Sequence, residues 1–334
     1  MCINRISAHQ EHMLFSIIIP LYNRPQEIKE LLETLTLQTY KSFEVLVIED
    51  GSKLDAEDIV KSFEHQLNIK YYVKENAGQG FARNYAFERA KGDYFIIFDS
   101  DCLIPENYLE IVNNFLTENW LDAYGGPDAA HPSFTPTQKA ISYAMTSPFT
   151  TGGIRGNKKS IGQFHPRSFN MGLSRKVWQK VGGFIITRSG EDIEYSIRIH
   201  AAGFKIGLIP LAKVYHKRRT DLLQFYKQLH FFGRARINVY KFFPSELKAV
   251  HFFPALFTLG VIFTIISNIF CWPIAVLCNV IAATLILLIF FHALVKNKSV
   301  KIAFLSVLAS FIQLTAYGLG FMQDVWRRLI LKQW

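Results

Sequence analysis

The chain has 334 residues, half of them apolar and 19% charged, with a formal charge of +10. That length allows one large domain or two ordinary ones. Four scattered cysteines (Cys2, Cys102, Cys271, Cys278) exclude a disulfide-stapled scaffold and a cysteine-built metal site.

The first 13 residues are polar, and the apolar run 14–21 is too short for a signal peptide. The amino-terminal two thirds are therefore expected to stay in the cytosol. Apolar, β-branched runs predict strands over 15–20, 43–48, 69–73 and 94–98. Helices are expected from Pro25, with Ile28, Leu31, Leu32 and Leu35 on one face, and over 78–90 and 105–116. This alternation implies a parallel-rich α/β sheet. From 122 to 163 the pattern loosens into a Gly/Pro-marked stretch, expected as a binding loop or lid. Helical patterns return over 175–181 and 193–202.

Nine Lys/Arg fall between Lys213 and Lys248, opposed only by Asp221 and Glu246. Within this segment, 220–248, the part 220–243 mixes Leu222, Leu223, Phe225, Leu229 and Phe232 with Lys227, Arg234 and Arg236. It reads either as a helix in the membrane interface or as one packed on the catalytic part. Positions 249–295 hold no Asp, Glu, Lys or Arg, and neither do 302–323. A span needs about 20 apolar residues. Spans are expected over 250–270, 273–295 and 302–323, within a membrane region 249–334. The basic segment beside them points to anionic lipid rather than nucleic acid, and to a multi-pass inner-membrane protein with its catalytic part in the cytosol. Three crossings would put Arg327, Arg328 and Lys332 outside, against the positive-inside rule. A last segment lying in the interface, or a third stretch that does not cross, would remove that conflict.

Candidate site residues gather where strands end. Asp99-Ser100-Asp101 follows the strand 94–98, and ligands of open α/β sheets bind beyond such carboxyl ends. Two acids one residue apart can share a divalent cation that bridges to a diphosphate. Glu49-Asp50-Gly51-Ser52 repeats the pattern; Asp50 could meet a base or ribose, or simply close a turn. Gly78-x-Gly80, opening a helix, could offer amides to phosphate, with Arg83 as a cation in place of a third fingerprint glycine. Gly190-Glu191-Asp192 opens another helix, where Asp192 could take a proton from an acceptor hydroxyl. His216 could ligate a metal or touch phosphate.

The run Ser16–Arg24, then Glu49–Ser52, Gly80–Asn84, Asp99–Asp101 and Gly190–Asp192, together resembles family 2 glycosyltransferases over about residues 14–220. The resemblance implies a catalytic domain at 1–219 with the GT-A fold, a mixed sheet flanked by helices, and inverting transfer from a nucleotide-diphosphate sugar. It assigns Pro20, Tyr22 and Asp50 to the base, places Arg83 near the nucleotide, and gives Asp99 to the ribose. Asp101 would bind Mg²⁺ or Mn²⁺ and Asp192 would be the base. Asn170, within Phe169–Gly172, and Glu191 would lie beside donor sugar and acceptor. His216, Arg218 and Arg219 would close over the diphosphate, His216 also serving as a metal ligand. Glu49 stands where Asp is commoner, and Cys102 where a third acid often follows. The missing Gln-x-x-Arg-Trp makes the chain resemble non-processive members. A lipid-linked glycan is the acceptor the membrane segment suggests. The alternatives are polyprenyl phosphate as acceptor and a nucleotide-sugar-binding scaffold without turnover.

Overall fold

The computed structural model describes residues 13–151, 164–188 and 190–333. The polar amino terminus with Cys2, and positions 152–163 of the expected loop, lie outside the described residues.

Ten strands form two sheets: β1 Phe15–Leu21, β2 Phe43–Asp50, β3 Ile69–Lys74, β4 Tyr94–Phe98, β5 Cys102–Leu103, β6 Ala123–Gly125, β7 Asp128–Ala129, β8 Asn170–Ser174, β9 Ile206–Leu208 and β10 Val214–His216. The large sheet runs β3-β2-β1-β4-β8-β6-β9. Its β3-β2-β1-β4 half is parallel, and β8 enters antiparallel between β4 and β6. The result is the mixed sheet expected. Helices cover both faces, which explains unbroken apolar runs in place of alternation. Ile17, Ile19, Val45, Val47, Ile96 and Phe98 pack toward the helices Pro25–Thr36 and Tyr108–Glu118. Ile18, Leu46, Ile48, Phe95 and Ile97 pack toward Gln79–Phe87, Arg175–Val181 and Glu191–Ala201.

The small sheet β5-β10-β7 decides the site. Antiparallel pairing sets His216 opposite Cys102, one residue past Asp101. Strand β2 runs on to Asp50, so that residue ends a strand, in register with Lys74. Part of the expected loop 122–163 is ordered structure: β6, β7 and the helix Pro136–Thr146, whose Thr135/Gln138 capping box fixes its start.

The amphipathic segment is one helix, Leu222–Phe242, capped by Asp221. Three helices long and apolar enough to cross a membrane follow, as expected: Phe253–Phe270, Trp272–Asn297 and Val300–Asp324.

Candidate active site

The carboxyl ends of β1, β2 and β4 open into one cleft of about 810 Å³. Asp50, Asp99, Asp101 and Asp192 all line it, although they come from three distant stretches of chain. Pro20, Tyr22, Glu191, His216, Arg218 and Arg219 line it as well.

Asp101 is the electrostatic centre. Its Oδ2 pairs with Arg24, and its Oδ1 lies 3.1 Å from His216 Nε2. Burial alone would raise its pKa, but the facing His216 and Arg24 outweigh this and hold it well below the usual carboxylate range. His216 is fixed from behind by stacking on Phe169, ring centroids 4.6 Å apart. Ligand atoms of Asp101, Cys102 and His216 lie within 4.8 Å of one another. The buried Cys102 thiol faces the Phe169 carbonyl at 3.6 Å, and burial pushes its pKa well up. His216 Nδ1 is buried without a hydrogen-bond partner, and Asp101 Oδ1, equally buried, has only the 3.1 Å approach of His216 Nε2. A carboxylate and an imidazole with such atoms to spare suit a hard divalent ion such as Mg²⁺ or Mn²⁺, whereas a protonated thiol does not.

The β1 and β2 loops are tied together by Asn23, a non-glycine residue at φ +53°. Its Oδ1 accepts from the amides of Lys53 and Leu54, and its own N–H donates to Ser52. This holds exposed Tyr22 beside Pro20 at the rim. Asp50 is more engaged than expected. It accepts from Lys74 Nζ and from the amides of Ala77 and Gly78, at 2.7–3.0 Å.

Three expectations need correction in position. Arg83 does not face the cleft; it is fully buried beneath it. Its guanidinium bridges Asp99, at 2.9 Å, and Glu191, at 3.2 Å, because a cation this deep requires counter-charges. Asn170 is also fully buried. It donates to the Ala212 carbonyl, at 2.8 Å, and accepts from Tyr108, so Arg167, Ser168 and Phe169 form the wall instead. The glycines at 78 and 80 are no phosphate cradle. The Gly78 amide goes to Asp50 and the Gly80 amide to the Thr187 carbonyl. A Cβ on Gly80 would sit 2.6 Å from the Ile186 carbonyl oxygen, so close packing explains that glycine. Arg218, although it lines the cleft, is committed to Asp128.

Arg83→Met should destabilise the protein by about 3–5 kcal/mol, because two carboxylates lose a buried partner. Chemical unfolding measures it, and an unchanged midpoint would show that Asp99 and Glu191 need no such bridge.

Asp192 lines the cleft at the start of helix Glu191–Ala201, which begins after Gly190 at φ +93°. Arg167 Nη1 lies 3.5 Å from its Oδ2, and its Oδ1 accepts from the Ile193 amide. Neighbouring Glu191 is raised in pKa by burial and by Asp192, against Arg83. The far wall is Gln224, Lys227, Gln228 and Arg236 of helix Leu222–Phe242, with Tyr317 of the third apolar helix.

Arg24, Arg167, Lys227 and Arg236 were not singled out from the sequence as site residues. Arg24 carried a legible signal, a cation just past the end of β1. The others are brought in only by long-range packing.

A mixed, helix-covered sheet, with paired carboxylates just past its central strand and a histidine returning to face the second of them, is the arrangement of the GT-A fold. The chain belongs to glycosyl transferase family 2, whose profile matches residues 16–182. It is 38% identical over 104 residues to an uncharacterized glycosyltransferase of Rickettsia felis, covering 31% of this chain and 17% of that one. It is 34% identical over 108 residues to glycosyltransferase GlyA of Streptococcus pneumoniae, covering 32% and 16%. With the minor teichoic acid biosynthesis protein GgaB of Bacillus subtilis it shares 26% identity over 213 residues, covering 62% and 23%. The chain thus spans less than a quarter of the length of these relatives. In fold it is similar to the mannosyltransferase PcManGT of Pyrobaculum calidifontis in complex with GDP-Man and Mn²⁺: TM-score 0.58, 16% identity, 96% of this chain and 89% of that one. S. aureus TarS 1–349 in complex with UDP gives a TM-score of 0.50 at 24% identity, covering 68% and 66%.

Proposed function

We propose that this family 2 glycosyltransferase is membrane-anchored and faces the cytosol, and that it moves a sugar with inversion from a nucleotide diphosphate to a hydroxyl of a lipid-linked glycan in cell-surface polysaccharide synthesis. One observation carries this reading. A single cleft joins the strand-end carboxylates to a wall built from the amphipathic helix and the apolar helix behind it. The similarity to GgaB supports a surface polymer as product.

In this reading Pro20, Tyr22 and Asp50 seat the base, and Asp99, oriented by Arg83, meets the ribose. Asp101 and His216 hold Mg²⁺ or Mn²⁺; the Mn²⁺ bound with GDP-Man in the Pyrobaculum neighbour supports this choice. Such an ion offsets the negative charge that grows on the departing diphosphate. Arg219 adds positive potential nearby, whereas Arg218 is offset by Asp128 and Arg24 by Asp101. Asp192 takes the proton from the acceptor hydroxyl. Inversion requires attack on the sugar face opposite the leaving group, as in inverting hydrolases. Asp192, on a helix separate from the Asp99–Asp101 loop, is the base that this reading places on that opposite face.

Cations on the membrane-side wall, Lys227 and Arg236, favour a second reading in which polyprenyl phosphate itself is the acceptor. Purified protein in nanodiscs, given nucleotide sugars and lipid acceptors, separates the possibilities by mass spectrometry of the product. A sugar–sugar linkage supports the first reading, and an acid-labile sugar phosphate the second. Donor binding with no acceptor-dependent nucleotide release would leave a non-catalytic scaffold.

A further inference from the structure

We infer that the third apolar helix, Val300–Asp324, does not cross the bilayer. It lies along the membrane surface on the side of the cleft, and only the hairpin of helices Phe253–Phe270 and Trp272–Asn297 inserts. This rests on packing alone, independently of the chemistry proposed above.

By length and mean hydropathy (2.1, 2.8 and 1.8) all three helices could cross. Their surroundings differ. The most apolar stretch of each hairpin helix is 11% buried in the protein, and that of the third helix is 50% buried. The third helix runs parallel to the amphipathic helix Leu222–Phe242 in a register of ninety residues. Arg234 Nε bonds Asp324 at 2.9 Å, and Arg328 Nη1 bonds Asn238 Oδ1 at 3.1 Å. Just ahead of these pairs in both helices the backbones touch. A Cβ on Gly233 would sit 2.1 Å from the Tyr317 carbonyl oxygen, and one on Gly320 would sit 2.0 Å from that of His230. Small residues at such crossings bring helices into direct contact.

The two helices therefore share one environment. The amphipathic helix carries Lys227, Arg234, Arg236 and Lys241, and lines the cleft with Gln224, Lys227, Gln228 and Arg236. A helix so charged, forming the wall of a water-filled cleft, does not belong in hydrocarbon. Its partner stays at the surface with it. The first half of the third helix is held likewise: Ala309 packs with Ile141, Ala144 and Met145 of Pro136–Thr146.

The hairpin packs along the third helix, with Phe257 on Phe311 at mid-helix, ring centroids 5.4 Å apart, and further contacts toward both ends. Phe252 lies on Phe321, ring centroids 5.1 Å apart, and Phe290 on Phe304 at 4.9 Å. From there it rises to a turn at Cys271, flanked by Phe270 and Trp272, which are 81% and 73% exposed. Counted with the 3-10 turn that leads into it, the first arm spans the 22 residues Ala249–Phe270 and the second the 26 residues Trp272–Asn297, which reach about 33 and 39 Å, enough for a hydrocarbon core of about 30 Å. The exposed Phe304, Leu308, Leu319 and Trp326 then dip into the acyl boundary. Arg327, Arg328 and Lys332 return to the side of Arg234 and Arg236, and the positive-inside conflict disappears.

The test uses the full chain in a bacterial host, with a reporter fused after Gln333. Green fluorescent protein there should fluoresce, and alkaline phosphatase should be inactive. An active phosphatase with a dark fluorescent fusion overturns the surface placement. In membrane vesicles of known orientation, and with Cys2→Ser and Cys278→Ser throughout, an impermeant maleimide should modify native Cys271 from one face. It should modify the Lys332→Cys, Cys271→Ser chain from the other. Labelling of both from the same face overturns insertion of the hairpin. The reporters carry the unaltered helices, so a folding defect in a substituted chain does not blur the first result.

Discussion

Asp101→Ala is expected to lower sugar transfer at least about a thousandfold, while thermal unfolding in detergent shifts by only a few degrees. The residue carries the one carboxylate in the cleft that meets both Arg24 and His216 among the described residues. Removing one preorganised electrostatic contact to a developing charge costs about 10²–10³ in rate, and Asp101 also anchors the proposed divalent ion. Stability is affected less, because the Arg24 side chain is 29% exposed and regains water when its partner is lost. Asp101→Asn keeps the shape and removes the charge, so it should be equally inactive. Chelation of divalent ions should reproduce the loss in the unaltered protein, and added Mn²⁺ or Mg²⁺ should restore activity there but not in either variant. Turnover retained by purified Asp101→Ala would remove the role assigned to this residue.

Asp192→Asn should cut transfer by about 10²–10⁴, the usual worth of a positioned general base. Its affinity for nucleotide diphosphate with Mn²⁺ should stay within about threefold, because Asp192 sits on a helix remote in sequence from the Asp99–Asp101 loop. Arg167 lies 3.5 Å away and would keep the asparagine in place, so the substitution tests the proton and not the fold. Calorimetric binding beside acceptor-dependent nucleotide release measures the split. Equal loss of binding and turnover would make Asp192 a donor-binding residue instead. Under the polyprenyl-phosphate reading the nucleophile arrives already ionised, and the same variant should lose far less.

The parallel half of the sheet was legible because β1, β2 and β4 carry buried apolar runs covered on both faces, while the edge strand β3, with only Ile69 buried, still shows β-branched and aromatic residues. β5, β7, β9 and β10, only two or three residues long, carry no period to read, and β6 and helix Pro136–Thr146 hid within a Gly/Pro-marked stretch. The carboxylates were legible because they end or closely follow long strands, or open a helix. Arg83 and Asn170 misled for one reason: a polar side chain in a family motif can face inward and hold the motif together, and sequence spacing does not record which way it points. Arg83 underpins Asp99 and Glu191, and Asn170 pins the Ala212 turn ahead of β10. The Gly78 and Gly80 pattern invited a phosphate reading; the tight approach of 186–187 is what needs those glycines.

Contacting residues on the two helices that finish the cleft's far wall lie ninety positions apart in the chain, and the hairpin is synthesised between the helices. A ribosome that has just completed Leu222–Phe242 has made nearly every acid named here, yet Tyr317 has not been translated. Only a chain that has threaded its hairpin and brought the last helix back acquires a closed cleft. Half-made copies therefore lack the finished wall.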